Sequence, residues 1–109
     1  MSNKFLSGNI MKIQPTSKYL ELLKQYKEKN GHKYGIVRIG IFGSVARGIQ
    51  TEDSDIDIYI EGEPQSLFTM SHMKMELQDL LGREVDIVRL REKMNPYLRE
   101  KIEKEGIYA

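Results

Sequence analysis

Residues 55–61 constrain the fold of this chain more than any other segment, because apolar and polar side chains alternate there. The three isoleucines of the segment fall on one side, while Asp55, Asp57 and Tyr59 fall on the other. A period of two predicts a β-strand with one buried face. Two carboxylates two residues apart then project from the same face, with their Cα atoms about 6.5–7 Å apart.

Helices and further strands are predicted on both sides of this strand. In chain order they are a helix capped by Thr16 or Ser17 and closed by Asn30-Gly31, a strand over 36–42, a short helix after Ser44, the alternating strand, a helix capped by Ser66 and ended by Gly82, a strand over 85–88, and a helix from Asn95-Pro96 to about Glu105. This order predicts an α/β fold of the α+β kind, with a small mixed β-sheet flanked by helices.

The whole-chain properties narrow the class of protein. A chain of 109 residues has room for one hydrophobic core, so a single domain is expected over 15–109, after a weakly patterned leader at 1–14. The absence of cysteine excludes disulfides and zinc–thiolate sites. A formal net charge of +1 and no long apolar run predict a cytoplasmic protein that contacts neither nucleic acid nor a membrane directly.

Gly43 and Ser44 follow the strand predicted over 36–42 and are candidates for binding a phosphate. Glycine permits a tight turn and leaves room for the anion, and the helix that follows would direct backbone N–H groups and the Ser44 hydroxyl toward it. The spacing to Gly48 suggests a P-loop, but Ile49-Gln50 stands where that motif needs Lys followed by Ser or Thr. An ordinary strand-to-helix turn would use the same two residues.

Arg47 is expected in the first turn of the short helix, where the helix dipole disfavours a cation by a few tenths of a kcal/mol. A bound triphosphate would reverse that effect, which makes Arg47 a candidate nucleotide contact. The alternatives are an exposed arginine or an ion pair with Glu52 or Asp53.

Asp55, Asp57 and Asp86 are candidate metal ligands and catalytic groups. Two carboxylate charges about 5 Å apart repel by about 3 kcal/mol at an effective dielectric near 20, and a cation would relieve this repulsion. All-oxygen ligands suit Mg²⁺, and converging carboxylates can hold a pair of ions. Asp86 lies between apolar residues of a third strand and could also accept a proton from an attacking hydroxyl. An edge strand with a solvated acidic face would show the same pattern.

Together, Phe42-Gly43-Ser44, ten intervening residues, Asp55-Ile56-Asp57-Ile58 and the later Val85-Asp86-Ile87 resemble the signature of the DNA polymerase β nucleotidyltransferase superfamily. The segments 43–48 and 53–57 resemble its smallest members, the minimal nucleotidyltransferases. The resemblance extends from about Ser17 to the last residue and implies the nucleotidyltransferase fold. The resemblance does not include the extra helical substrate domain that larger members of the superfamily have.

The resemblance also implies residue roles. Gly43 and Ser44 would hold the triphosphate of ATP, Asp55 and Asp57 would bind two Mg²⁺ ions, and Asp86 would complete the site and help deprotonate the nucleophile. The implied reaction is attack of a hydroxyl on the α-phosphorus of ATP, with pyrophosphate as the leaving group.

The family also suggests a partner, a HEPN ribonuclease toxin that the minimal nucleotidyltransferase modifies with AMP on a tyrosine and thereby neutralises as an antitoxin. Two alternatives stay open. One is a non-catalytic, nucleotide-binding antitoxin that occludes the toxin, and the other is nucleotidyl transfer to a small molecule. The sequence also leaves open the nucleotide preference, the modified residue, and whether the chain forms homo-oligomers.

Overall fold

The computed structural model describes residues 14–51 and 53–109, so the predicted leader lies outside the described residues except for Gln14. Its elements are α1 (Thr16–Tyr34), β1 (Ile36–Phe42), α2 (Gly43–Arg47), β2 (Ile56–Gly62), α3 (Leu67–Leu81), β3 (Val85–Arg89), α4 (Pro96–Glu105) and β4 (Ile107–Tyr108). The strands form one sheet in the order β3-β2-β1-β4. β2 pairs parallel to β3, while β1 pairs antiparallel to both β2 and β4, so the predicted mixed sheet is confirmed.

Helices cover the sheet on both faces. On one face, α1 and α3 pack over the isoleucines of β2, and this side holds the larger group of buried side chains. On the other face, α4 inserts Ile102 against Phe42 of β1 and Tyr59 of β2. Because side chains alternate along a strand, Asp57 shares the α4 face with Tyr59. The alternation of β2 therefore places its carboxylate on the less covered side of the sheet.

The start of α1 differs from the prediction of a Thr16 or Ser17 cap. Pro15 is the N-cap residue, and no side chain caps the helix. The Thr16 hydroxyl instead donates a hydrogen bond to the backbone carbonyl of Val45 at 2.6 Å. A long-range contact with α2 therefore takes the hydroxyl that local sequence assigned to capping.

The end of α1 also differs, since the helix continues through Gly31 to Tyr34 and ends at Gly35 in a left-handed conformation, with φ of 65°. Gly31 is buried, and a Cβ there would lie 3.4 Å from the carbonyl oxygen of Ile36. The last turn is stabilised by Tyr34, which is buried and hydrogen bonded to Glu76 of α3. Tertiary packing therefore outweighs the helix-ending tendency of Asn-Gly.

The boundaries predicted for α3 and α4 are confirmed. The Ser66 hydroxyl accepts a hydrogen bond from the Thr69 N–H, and Gly82 ends α3 with φ of 70°. The Asn95 side chain caps α4, with Pro96 at its first position. The two-residue strand β4 was not predicted, because so short a segment has no period of its own; it forms by pairing with Gly40 and Ile41.

Glu76 joins α1 to α3. Its Oε1 accepts hydrogen bonds from the hydroxyls of Tyr26 at 2.8 Å and Tyr34 at 3.0 Å. Burial raises the pKa of the Glu76 carboxyl, but the two tyrosine hydrogen bonds, with the nearby His72 and Lys33 charges, hold it below its ordinary value. The ionised carboxylate therefore stabilises the contact between the two helices.

We predict that Glu76→Gln destabilises the protein by about 1 kcal/mol at pH 7, because the charge-assisted hydrogen bonds are weakened. A carboxyl that is more acidic in the folded chain stabilises it above the pKa of the unfolded state, and this stabilisation is lost as the pH falls through the folded pKa. The difference from wild type should therefore shrink at pH 3. Urea unfolding at both pH values measures it.

The matched control is Glu28→Gln, which removes the same charge from an exposed position on α1. It should change the free energy of unfolding by less than about 0.5 kcal/mol at either pH. An equal loss for Glu76→Gln at pH 3 and pH 7 would contradict the assigned role of the carboxylate.

Candidate active site

Strand register brings Asp57 and Asp86 side by side. They are direct partners in the parallel pairing of β2 with β3. Paired residues of adjacent strands point to the same face, and neighbouring strands lie about 4.8 Å apart. On its other side, Asp57 pairs with Phe42, the last residue of β1, so Gly43 follows immediately. The structure thus brings together three of the positions singled out in the sequence.

Gly43 lies directly against Asp57. Its φ is 77°, in the left-handed region that favours glycine, and a Cβ built there would lie 2.4 Å from Oδ2 of Asp57. A side chain at this position would therefore be excluded by both the backbone conformation and the carboxylate. Ser44 follows, half-buried, and within the described residues its hydroxyl makes no hydrogen bond. The turn and the carboxylates, predicted as two motifs, therefore lie together in the fold.

The electrostatics of the site centre on Asp57. Partial burial raises the pKa of the Asp57 carboxyl; the charge of Asp86 raises it further, Lys101 of α4 lowers it, and Asp55 raises it slightly. Asp55, just before β2, and Asp86 are both exposed. The site thus gathers negative charge on one face of the sheet, with Lys101 as a nearby cation.

The donor set of the site fits a hard divalent cation, since carboxylate oxygens are the ligands that Mg²⁺ prefers. The mutual repulsion that raises the pKa of Asp57 would also be relieved by such a cation. In the part of the chain that the structure describes, however, no three acidic or histidine side chains come close enough together to enclose a metal ion. The three carboxylates share a region of the fold without forming a closed ligand cage.

Arg47 does not lie where the sequence placed it. The helix α2 has only five residues and ends at Gly48, so Arg47 occupies its last turn instead of its first. Its Nη1 lies 3.3 Å from Oε2 of Glu105 on α4, in a partly exposed ion pair. Of the alternative ion-pair partners, Glu52 lies outside the described residues, and Asp53 forms no ion pair with Arg47 among those described. The nucleotide contact of Arg47 stays a prediction.

Arg83 is a residue of the site that sequence reasoning missed. It is only 5% exposed, and its guanidinium donates to the Tyr19 hydroxyl and the Gln50 side-chain oxygen, each at 3.2 Å. It also donates to the backbone carbonyl of Thr51 at 3.1 Å and to that of Ser54. These bonds hold the loop that leads into the first carboxylate of the site. In the sequence, one arginine after a helix-ending glycine gives no signal of such a role.

Comparison with known proteins identifies the family. The sequence model of the nucleotidyltransferase domain matches residues 21–109. The chain belongs to the nucleotidyltransferase domain family. A relative from Methanocaldococcus jannaschii, provisionally named a protein adenylyltransferase, is 42% identical over 88% of this chain and 99% of its own length. The protein adenylyltransferase MntA of Thermococcus cleftensis is 32% identical over 81% of this chain and 89% of its own.

Solved structures agree with this assignment. A structure provisionally described as a minimal nucleotidyltransferase matches with a TM-score of 0.64 and 40% identity, over 81% of this chain and 93% of that one. A complex of a tri-AMPylated HEPN toxin of Shewanella oneidensis with its MNT antitoxin matches at a TM-score of 0.57 and 22% identity, over 86% of this chain and 67% of that one, which shows a shared fold. No helix in the described ranges 14–51 and 53–109 is long and apolar enough to cross a membrane.

We predict that Arg83→Met destabilises this nucleotidyltransferase by about 2–4 kcal/mol, because buried acceptors lose their donor. The matched control is Arg38→Met, which removes a half-exposed arginine paired with Glu61 at 3.3 Å and should cost at most about 1 kcal/mol. Urea unfolding of both variants and of Arg83→Lys, which retains part of the donor set, measures the difference. Equal losses for Arg83→Met and Arg38→Met would contradict the role of Arg83.

Proposed function

We propose that this chain is a Mg²⁺-dependent protein adenylyltransferase that transfers AMP from ATP to a tyrosine hydroxyl of a HEPN-family toxin, and so acts as its antitoxin. The observation that supports this most is the seating of the Asp57 carboxylate between Gly43 and Asp86. This arrangement places a turn that can accept a phosphate next to carboxylates that suit a divalent cation. Nucleotidyl transfer needs both at the same place.

The relatives support the class of substrate. The Thermococcus cleftensis protein is named a protein adenylyltransferase, and the Shewanella oneidensis antitoxin is seen bound to a toxin that has been modified with AMP. The chain spans nearly the full length of the Methanocaldococcus relative. Transfer to a protein is therefore preferred over transfer to a small molecule.

Gly43 and Ser44 are proposed to hold the triphosphate. The half-buried Ser44 hydroxyl, which makes no hydrogen bond within the described residues, can donate to a phosphate oxygen. Arg47 is proposed as a further contact, which requires its guanidinium to exchange Glu105 for a phosphate. Because the Arg47–Glu105 pair is partly exposed, breaking it costs at most about 1 kcal/mol.

Asp55, Asp57 and Asp86 are proposed to hold two Mg²⁺ ions. When bound, these ions would neutralise negative charge on the phosphates during transfer. The tyrosine oxygen forms a bond to the α-phosphorus of ATP as the bond from that phosphorus to the β-phosphate oxygen breaks and pyrophosphate leaves. Asp86 accepts the proton of the attacking hydroxyl, a role that suits its exposed position.

The decisive experiment incubates the protein with ATP, Mg²⁺ and the purified HEPN-family protein of the same organism, and measures the mass of that protein. We expect a gain of one or more AMP units on a tyrosine. Asp57→Asn should lower the rate by about 100-fold or more. Asp79→Asn, on the helix that packs against the opposite face, should retain it.

The same variants separate catalysis from occlusion. If no AMP adduct forms and Asp57→Asn still neutralises the toxin, the catalytic proposal is wrong and direct binding explains antitoxin activity. If an adduct forms only with a small-molecule hydroxyl, the proposed protein substrate is wrong.

Gly43→Ala should strongly reduce AMP transfer, and Gly48→Ala is its matched control. Both glycines have positive φ, 77° and 73°, so the backbone conformation alone should cost each alanine about 1–2 kcal/mol of folding free energy. A Cβ at Gly43 meets Asp57, whereas at Gly48 nothing lies within 4 Å. We therefore expect AMP transfer to fall about 100-fold or more for Gly43→Ala alone, measured at a temperature where both variants are folded. Equal activity of the two variants would contradict the close contact with Asp57.

A further inference from the structure

Two adjacent apolar side chains are strongly exposed at the start of α3. Leu67 is 87% exposed and Phe68 is 90% exposed, the highest values among the large exposed apolar residues of the described chain. Single exposed apolar residues are ordinary on a protein surface, but adjacent ones in a cluster indicate an interaction site. Further along α3, Met73, Leu77 and Leu81 are buried, while Met75 and Leu80 are exposed to a smaller extent, at 65% and 37%.

An open groove of about 410 Å³ lies beside Leu67, the first residue of this pair. Leu67 and Met70 line it from α3, and Ile87 lines it from β3. Arg89 at the end of β3 and Arg91 just beyond it also line the groove. Apolar side chains are thus bordered by two cations, a mixture typical of protein interfaces.

The two guanidiniums have only backbone partners within the described part of the chain. Nη1 of Arg89 donates to the carbonyl of Gly62 at 3.3 Å, and Nη1 of Arg91 donates to the carbonyl of Arg89 at 2.8 Å. No carboxylate among the described residues forms an ion pair with either. Arginines with donors to spare favour a partner that brings carboxylates. We call Leu67, Phe68, Arg89 and Arg91 the Phe68 surface.

The Phe68 surface connects to the candidate active site along β3. This strand is at the edge of the sheet and pairs only with β2 among the described strands. Asp86 lies three residues before Arg89 on the same strand, which corresponds to about 10 Å at 3.3 Å per residue. Because side chains alternate along a strand, Arg89 points to the α3 face and Asp86 to the α4 face. The groove is also lined by Val88, which shares the face of Asp86, so a protein docked on the Phe68 surface would reach the carboxylates by passing around the open edge of β3.

We propose that the Phe68 surface docks the protein substrate through a segment that has carboxylates beside apolar side chains, and thereby brings the acceptor hydroxyl to Asp86. This rests on the proposed transfer of AMP to a protein. Charge complementarity with Arg89 and Arg91 selects an acidic segment, and the exposed pair provides apolar area to cover.

Binding and catalysis are measured separately to test this. The affinity for the purified HEPN-family protein is measured by calorimetry, in the Asp57→Asn background so that no modification occurs. Leu67→Ser with Phe68→Ser should weaken binding at least tenfold. Arg89→Gln with Arg91→Gln should weaken it and reduce its dependence on salt concentration. In the active protein, the same pairs should raise KM for the HEPN protein, while kcat and ATP affinity stay near wild type.

Matched controls lie elsewhere on the surface. Val37→Ser removes an apolar side chain that is 69% exposed on β1, and Lys24→Gln with Lys29→Gln removes two exposed charges of α1. Both should bind the HEPN protein as wild type does. All variants should retain the wild-type thermal midpoint within a few degrees.

The proposal is overturned if both substitutions of the Phe68 surface leave affinity unchanged, if the controls lose as much affinity, or if the wild type does not bind the HEPN protein. It is also overturned if sedimentation shows that Leu67→Ser with Phe68→Ser dissociates a homodimer, since a second copy would then cover this surface. Loss of binding by these variants without AMP transfer by the wild type would support docking and overturn the proposed catalysis alone.

Discussion

The register of β2 between its two neighbours is the constraint on which the site depends. Asp57 pairs with Phe42 on one side and with Asp86 on the other. A shift of one residue would turn Asp57 into the core beneath α1 and α3 and expose the isoleucines of β2. Burial of those isoleucines is therefore what holds the carboxylate on the α4 face. The hydrophobic core and the arrangement of the candidate site are therefore set by the same pairing.

Two partly or fully buried charged groups near the candidate site, Asp57 and Arg83, have opposite surroundings. Asp57 lies beside two other carboxylates, and its raised pKa reflects burial and their repulsion, opposed by Lys101. Arg83 is nearly buried but is satisfied by oxygens of the loop before β2, so its charge stabilises a backbone conformation. Among the described residues, this loop has no strand partner for its carbonyl groups, and the hydrogen bonds from Arg83 satisfy two of them instead. Asp55 lies between this restrained loop and β2, so both together fix its position.

Much of the fold was predictable wherever a local signal agreed with packing. The period of two in β2 and the Ser66 and Asn95 caps all matched the structure. Prediction failed where a distant contact decided the outcome. The Asn30-Gly31 stop was overridden by Tyr34, which reaches Glu76 on α3. Arg47 was misplaced because the length of a five-residue helix depends on its packing and has no periodic signature.

The sequence by itself determined the strands β1 to β3, the boundaries of α3 and α4, and the spacing of Gly43 from the carboxylates, because these depend on side-chain period and on local hydrogen bonds. It also pointed to the family. Only the tertiary structure decided that the Gly43 backbone lies against Asp57, that Arg83 restrains the loop, and that Leu67 is exposed beside Arg89. Each of these depends on elements far apart in the chain meeting in three dimensions, and no local pattern encodes such a meeting.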